Sequence, residues 1–356
     1  MIKLGYCCQN LSLQTAGINY RTTTETSLRG HTHTTVLQKL AEICIHNLRT
    51  LRSIMYWNTA LNIWCYRIPT NIFPLFDHPA YTWVYTNLLA GAYFDFEKLD
   101  RPSSYDALVE FTEAKDAARA AVLDWACAGA DSNVGGVWLG THPGQYTVIS
   151  SRTQSVNIQG IATLRAQIDL LDILGVNDDP AHINHNINIH VSNGSKSVKE
   201  TAAIVYEHLN KLSEYYGVNM GAVLSFENED KGIWTPETLL KTFPDIPVCF
   251  DAHHYRCNHP KGKLSVPDTG LLKCIHDQWQ RIRNTGPLWH HSSPKNGLGA
   301  ENFSRSHADY MENEDLQFLD QHQEYFDAVE LEVKMKDLAL IKASTYLKKY
   351  DKTTHK

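Results

Sequence analysis

The chain has 356 residues, 43% of them hydrophobic and 20% charged, which is too apolar for a disordered protein and too evenly mixed for a fibrous one. Lys and Arg number 33 against 39 Asp and Glu, and the resulting formal charge of −6 argues against non-specific coating of nucleic acid, though not against a local basic face. The length fits two ordinary domains or one large α/β barrel, and the abnormal count is 18 histidines, imidazole being both a common metal ligand and the usual general base. Eight cysteines without C-x-x-C spacing, and a start at Met1-Ile2-Lys3-Leu4 without a leader pattern, predict reduced thiols and a cytoplasmic protein. The longest apolar stretches, such as 81–96, are interrupted by Thr, Asn, Gly and Asp, so no membrane span is expected.

In chain order, short β-branched and aromatic runs alternate with longer helical patterns. Strands are predicted at Ile2–Tyr6, Ile63–Ile68, Val137–Thr141, Ile187–His190, Val223–Glu227, Val248–Asp251, Pro287–His291 and Ala328–Val333. Helices are predicted at Val36–Met55, Tyr105–Ala128, Ile161–Leu174, Val198–Tyr216, Pro236–Thr242, Thr269–Arg281, Asp315–Phe326 and Lys336–Lys348. Thr235-Pro236-Glu237 is a cap followed by proline in the first turn. Several strands are nearly continuous apolar runs, as parallel strands covered on both faces should be. Eight strands alternating with eight helices predict an α/β fold, a (β/α)8 TIM barrel; a doubly wound sheet is the alternative, but no strand leads into a glycine-rich dinucleotide turn. Residues 1–350 form one domain with a helical insertion at 81–133 between strands two and three. The lysine-rich end Lys348–Lys356 reads as frayed and solvated, with 351–356 as a tail.

The eight strands end, in order, at Tyr6, Arg67, His142, His190, Glu227, Asp251, His290 and Glu332. A barrel gathers the carboxyl ends of its strands at one mouth, where its chemistry is done. Any one of these residues alone is as readily a capped loop, a surface charge or a satisfied core histidine. Ionisable groups at the same end of strand after strand have no such bland explanation, because crowded charges repel unless a cation neutralises them. A mixed imidazole and carboxylate set suits Zn, Mn, Fe or Co better than Ca, and the absence of cysteine from it disfavours a structural zinc site. Two or three ions there would suit displacement at a phosphodiester, and three would cancel the formal −6. Local motifs add detail: Gly140-Thr141-His142-Pro143-Gly144-Gln145-Tyr146 sets a ligand-type histidine beside a Pro-Gly turn, and Phe226-Glu227-Asn228-Glu229-Asp230 packs three carboxylates into four residues. After Asp251, strand alternation would present His253, whereas a turn would present His254.

These residues together are where the chain resembles the UV damage endonucleases, metal-dependent DNA repair nucleases on a TIM barrel. The matching segments are Leu4-Gly5-Tyr6 with Asn10-Leu11, Tyr66-Arg67-Ile68, His78-Pro79, His142 to Tyr146, Ile189-His190, Glu227-Asn228-Glu229, Asp251 with His253-His254, His290, His307 and Glu332-Val333-Lys334. The resemblance implies a nick immediately 5′ to UV photoproducts, and often to abasic sites, leaving a 3′-hydroxyl and a 5′-phosphate. It implies metal ligands His78, His142, His190, Glu227, Asp251, His254, His290, His307 and Glu332, holding two or three divalent ions, Mn2+ before Zn2+ or Mg2+. Glu227, His190 and Lys334 would be catalytic. Gln145 and Tyr146 would probe the lesion, and Tyr6, Asn10 and Arg67 would contact DNA, with Lys261 and Lys263 as candidate phosphate contacts that read equally well as solvated charges. The implied partner is damaged double-stranded DNA, with no membrane and no obligate protein partner, and the chain acting as a monomer. Where members of that family carry a lysine two residues before the strand-seven histidine, this chain has Leu288, so bridging by a modified lysine is not available. Two rivals share such a barrel mouth: an apurinic endonuclease of the endonuclease IV kind, and a sugar isomerase or epimerase. The turn at 142–146 favours the nucleases, and the acidic balance favours a small-molecule enzyme.

Overall fold

A four-residue strand can be buried on both faces only if helices cover it, and the strands here are of that kind. In a computed structural model, which describes residues 2–22, 33–70, 138–144, 147–151, 153–173, 186–191, 197–258, 267–300 and 304–354, they are β1 (Leu4–Cys7), β2 (Cys65–Ile68), β3 (Trp138–Thr141), β4 (Asn186–His190), β5 (Leu224–Glu227), β6 (Val248–Cys249), β7 (Leu288–His291) and β8 (Ala328–Leu331). All neighbouring pairs are parallel, in the order β6-β5-β4-β3-β2-β1-β8-β7. The circle closes between β6 and β7 through a single parallel bridge, Asp251 with His290, in which the His290 amide donates to the Phe250 carbonyl at 3.0 Å. This is the (β/α)8 barrel that the alternating pattern predicts.

The described helices are α1 (Leu11–Thr15), α2 (His33–Ala60), α3 (Gln154–Ile173), α4 (Val198–Tyr216), α5 (Pro236–Thr242), α6 (Ala252–Asn258), α7 (Thr269–Arg283), α8 (Asn313–Gln321) and α9 (Lys336–Thr354). Among the described residues, no helix is long and apolar enough to cross a membrane. α4 and α5 have the predicted bounds because both carry strong end signals. Ser197 accepts from the Glu200 amide and Gly217 closes α4 at φ 68°, while Thr235 caps α5 ahead of Pro236. Elsewhere the boundaries move. α3 starts at Gln154 rather than Ile161, since its first turns are polar and escape an apolar periodicity. The predicted helix Asp315–Phe326 divides into α8 and a 3-10 turn at Gln323–Tyr325. α9 runs to Thr354, past the expected Lys348, as no Gly or Pro interrupts it. The predicted strand Val248–Asp251 shortens to two residues at its carboxyl end, where the Asn228 side chain takes both backbone groups of Asp251 and the chain enters α6 at Ala252. The predicted 81–133 insertion, with its helix, lies outside the described residues.

The barrel interior beneath the mouth is polar. Arg283, at the end of α7, donates to the Gly221 carbonyl at 2.8 Å, to Asn186 Oδ1 at 3.0 Å and to the Leu224 carbonyl at 2.6 Å. Asn186 Nδ2 donates to Ser225 Oγ at 2.7 Å, Ser225 donates to Asn188 Oδ1 at 2.9 Å, and Asn188 Nδ2 donates to Glu227 Oε2. A column of hydrogen bonds thus rises from the closed end of the barrel to the carboxylate at the mouth. On the opposite side β1 and β2 approach so closely that a Cβ on Gly5 would collide with the backbone and Sγ of Cys65.

Candidate metal centre at the barrel mouth

Glu227 is the hub of the site. It ends β5, is fully buried, and lies opposite His190 of β4 and Cys249 of β6 in the strand register. Its Oε2 is 3.1 Å from His142 Nε2 and 3.0 Å from His290 Nδ1, and its Oε1 is 3.0 Å from His254 Nδ1. Glu332, just past β8, brings Oε1 to 3.2 Å from His290 Nδ1 and Oε2 to 3.7 Å from His307 Nε2. The rings of His142 and His190 are 5.1 Å apart, and those of His190 and His254 5.7 Å. His307 is oriented by a 2.7 Å contact between its Nδ1 and Ser292 Oγ.

The ambiguity after Asp251 is resolved by the backbone. The chain enters α6 at Ala252, so position 254 swings towards the mouth. Asp251 Oδ1 accepts from the His254 amide at 2.8 Å, and the Asn228 amide group pairs with the Asp251 backbone in both directions, at 2.8 and 2.9 Å. His253 does not meet Glu227: it is buried, its ring is 5.6 Å from that of His307, its Nε2 is 3.8 Å from Cys257 Sγ, and burial pushes its pKa down to about 4.

Four overlapping groups of donor atoms lie within 4.8 Å of one another: His142, His190 and Glu227; His142, His290 and Glu332; Glu227, Asp251, His290 and Glu332; and Glu227, Cys249 and His290. Adjacent donors on a coordination sphere of ~2.1 Å radius sit about 3.0–3.4 Å apart, which is the spacing found around Glu227 and His290. His190 Nδ1 and Asp251 Oδ2 are buried without a hydrogen bond, a condition that a shared cation would relieve. The residues therefore fit divalent metal ions, with His142, His190, Glu227, Asp251, His254, His290 and Glu332 at the centre and His307 at its rim. The electrostatics agree. Burial would raise the Glu227 carboxyl, but His290 and His190 hold it well below the usual range. Burial lowers His190 to about 4, leaving a neutral imidazole.

Other predicted residues have different surroundings. Tyr6 and Asn10 are buried and pair with each other at 2.8 Å; Tyr6 donates to Asn58 at 2.9 Å, and Asn10 Oδ1 caps α1 by accepting from the Leu13 amide at 2.7 Å. Arg67 reaches the mouth but is engaged by Glu332 and, at 3.7 Å, by Glu330. Lys334 is exposed beside His307, its amide donating to the Ala308 carbonyl at 3.0 Å. His78, Gln145, Tyr146, Lys261 and Lys263 lie outside the described residues.

Sequence reasoning missed Asn188, Glu330 and Cys249. Glu330 is buried with Oε2 3.3 Å from His290 Nε2, and the Cys249 sulfur falls within one of the candidate donor groups. Each sits two residues before a predicted ligand, at His190, Glu332 and Asp251, and the two-residue period of a strand would have found all three. Burial pushes the Cys249 thiol up to about 11.

A model of the UV-endonuclease UvdE family matches residues 2–99 and 113–356. The chain belongs to that family. Among curated relatives it is 26% identical over 348 residues to the UV DNA damage endonuclease of Bacillus cereus (strain B4264), covering 96% of this chain and 92% of that one. It is 26% identical over 311 residues to the UV DNA damage endonuclease of Bacillus anthracis, covering 85% and 81%. Among solved structures it resembles SacUVDE with a TM-score of 0.70 at 23% identity, over 99% of both chains, a likeness that supports the barrel fold. The matched ranges include the strand-end residues from His142 to Glu332 that the barrel gathers at its mouth.

Proposed function

We propose that this chain is a metal-dependent DNA repair endonuclease that nicks the backbone immediately 5′ to UV photoproducts, and also at abasic sites, leaving a 3′-hydroxyl and a 5′-phosphate. The observation that carries the reading is the convergence of imidazoles and carboxylates from β3 to β8 on one mouth, with donor atoms within 4.8 Å. The names of the curated relatives supply the substrate class. Two or three divalent ions, Mn2+ foremost and Zn2+ or Mg2+ as alternatives, would supply Lewis acidity for attack of water on the phosphodiester.

The chain's own residues do the rest. His142, His190, Glu227, Asp251, His254, His290, His307, Glu332 and His78 act as ligands. The neutral His190 ring keeps a lone pair free for a cation or a proton, and Glu227 ties three imidazoles to one point. The exposed ammonium of Lys334 can meet negative charge that grows on the phosphate. Gln145 and Tyr146 act as the wedge that fills the stack as the lesion leaves it, so that deformable, damaged steps are favoured over sound ones. The partner is damaged duplex DNA, and the chain acts as a monomer.

The test uses supercoiled plasmid, irradiated or not, incubated with the protein in Mn2+ or EDTA. Nicked circles should accumulate from irradiated plasmid with Mn2+ alone. Equal nicking of both plasmids, or none in any divalent metal, would sink the reading. Nicking confined to plasmid carrying abasic sites would replace it with the apurinic one.

A further inference from the structure

We propose that Cys249 is a thiolate ligand at the floor of the mouth, where with Glu227 and His290 it forms a position that prefers a soft or borderline divalent ion, such as Zn2+, over Mn2+ and Mg2+. The proposal rests on reading the mouth as a cation site, and it concerns which ion that site selects.

A buried cysteine is ordinarily a small apolar filler. Three observations set this one apart. First, it faces the right way: Cys249 is paired with Glu227 in the β5–β6 register and precedes Asp251 by two residues, so it shares the inward face of both, level with Glu227 and one layer below Asp251. Secondly, it has the right company. One donor atom each from Glu227, Cys249 and His290 falls within 4.8 Å of the others, and all three residues are fully buried. Thirdly, that company is incompletely satisfied. His290 Nε2 faces Glu330 Oε2 at 3.3 Å, a buried contact in which neither atom is satisfied by a hydrogen bond. The neighbour across the β6–β7 seam, counted back from the Asp251–His290 bridge, is Leu288, which offers no donor atom.

The chemistry balances simply. As the sulfur–metal bond forms, the thiol proton leaves to solvent, and a divalent ion is neutralised by one thiolate and one carboxylate with a neutral imidazole as third ligand. Sulfur biases the position towards Zn2+, Co2+ or Cd2+, whereas the all-oxygen-and-nitrogen set above it stays hospitable to Mn2+. The mouth would then be a mixed-metal centre rather than a uniform one.

The experiment loads the full chain with Co2+ and, separately, with Zn2+. The cobalt protein should show a thiolate-to-cobalt charge-transfer band in the near ultraviolet besides its visible bands. X-ray absorption of the zinc protein should show a sulfur neighbour at about 2.3 Å, distinct from nitrogen and oxygen at about 2.0–2.1 Å. Cys249→Val, close in size and shape, should lose both signals and weaken Zn2+ binding on the order of tenfold or more, while Mn2+ affinity stays within about threefold. Visible cobalt bands without the charge-transfer band, no sulfur shell, or an unchanged Cys249→Val spectrum would overturn the proposal. If the valine variant does not fold, the zinc spectrum of the unaltered chain decides alone. A protein that binds no divalent ion overturns both this proposal and the metal-dependent reading. A sulfur shell in a protein that nicks no DNA supports the ligand and sinks only the activity.

Discussion

Asp315 is a buried carboxylate outside the metal centre on which three elements depend. It sits in α8 and is 1% exposed; it accepts from Arg256 Nη2 of α6 at 2.5 Å and from Ser293 Oγ, beyond β7, at 2.5 Å, and lies 3.3 Å from His291 Nε2. Asp315→Asn keeps the shape and the serine contact but leaves the Arg256 guanidinium, itself only 10% exposed, without its counter-charge. Removing one partner of such a buried pair costs about 3–5 kcal/mol. At roughly 2 °C per kcal/mol for a chain of this length, the melting temperature should fall by about 6–10 °C. The pH dependence follows from the carboxyl itself. Burial would raise it, but His291 and Arg256 hold it well below the ordinary range. A carboxyl depressed in the folded state stabilises fully above its unfolded pKa of about 4 and loses that contribution as pH falls towards the folded value. The gap between the native and variant proteins should therefore be complete at pH 7 and narrow steadily below pH ~4. Thermal melts followed by circular dichroism measure both. A gap under about 1 °C at pH 7, or one that widens in acid, would refute the reasoning.

Further substitutions probe the site and its support. Glu227→Gln removes the charge that three histidines share, and plasmid nicking should drop by at least ~100-fold with unchanged circular dichroism; retained activity would remove Glu227 from the centre. Ser225→Ala breaks the column between Asn186 and Asn188, leaving buried amide groups unpaired at a cost of about 1–3 kcal/mol, read as a lower urea midpoint with unchanged slope. Gly5→Ala drives a methyl group into Cys65, and overpacking of about 1–3 kcal/mol or more should appear as poor soluble yield or a depressed melting temperature; native-like stability would show that β1 and β2 can separate. Dialysis against EDTA should abolish nicking, and added Mn2+ should restore it within the same preparation.

Much of the barrel was legible because each element carried its own signal. The Ser197 cap with Gly217, and Thr235 with Pro236, bound α4 and α5 in the sequence as firmly as in the structure. What was not legible depended on partners remote in sequence. The two-residue length of β6 follows from Asn228, some twenty residues upstream, capturing the Asp251 backbone. The engagement of Arg67 by Glu332 joins β2 to the far end of the chain, and a strand-end arginine read alone looks like a phosphate contact. At the site, the strand-end rule located the carboxylates and imidazoles but stopped one layer too soon. Asn188, Cys249 and Glu330 lie a single two-residue step below residues already chosen, and only their burial at the mouth distinguishes them from barrel filling.

The closure between β6 and β7 has a consequence for how this barrel can change. The two residues of the Asp251–His290 bridge are also two of the principal donors of the mouth, so the last stitch of the sheet and the centre of the chemistry are one structure. Lengthening β6 to strengthen the seam would straighten the chain at Ala252 and carry His254 away from Glu227; trimming the seam to free the histidine would open the wall. Robustness and reactivity are therefore not separately adjustable here, and stabilising changes should be tolerated at the outer helices rather than across this edge.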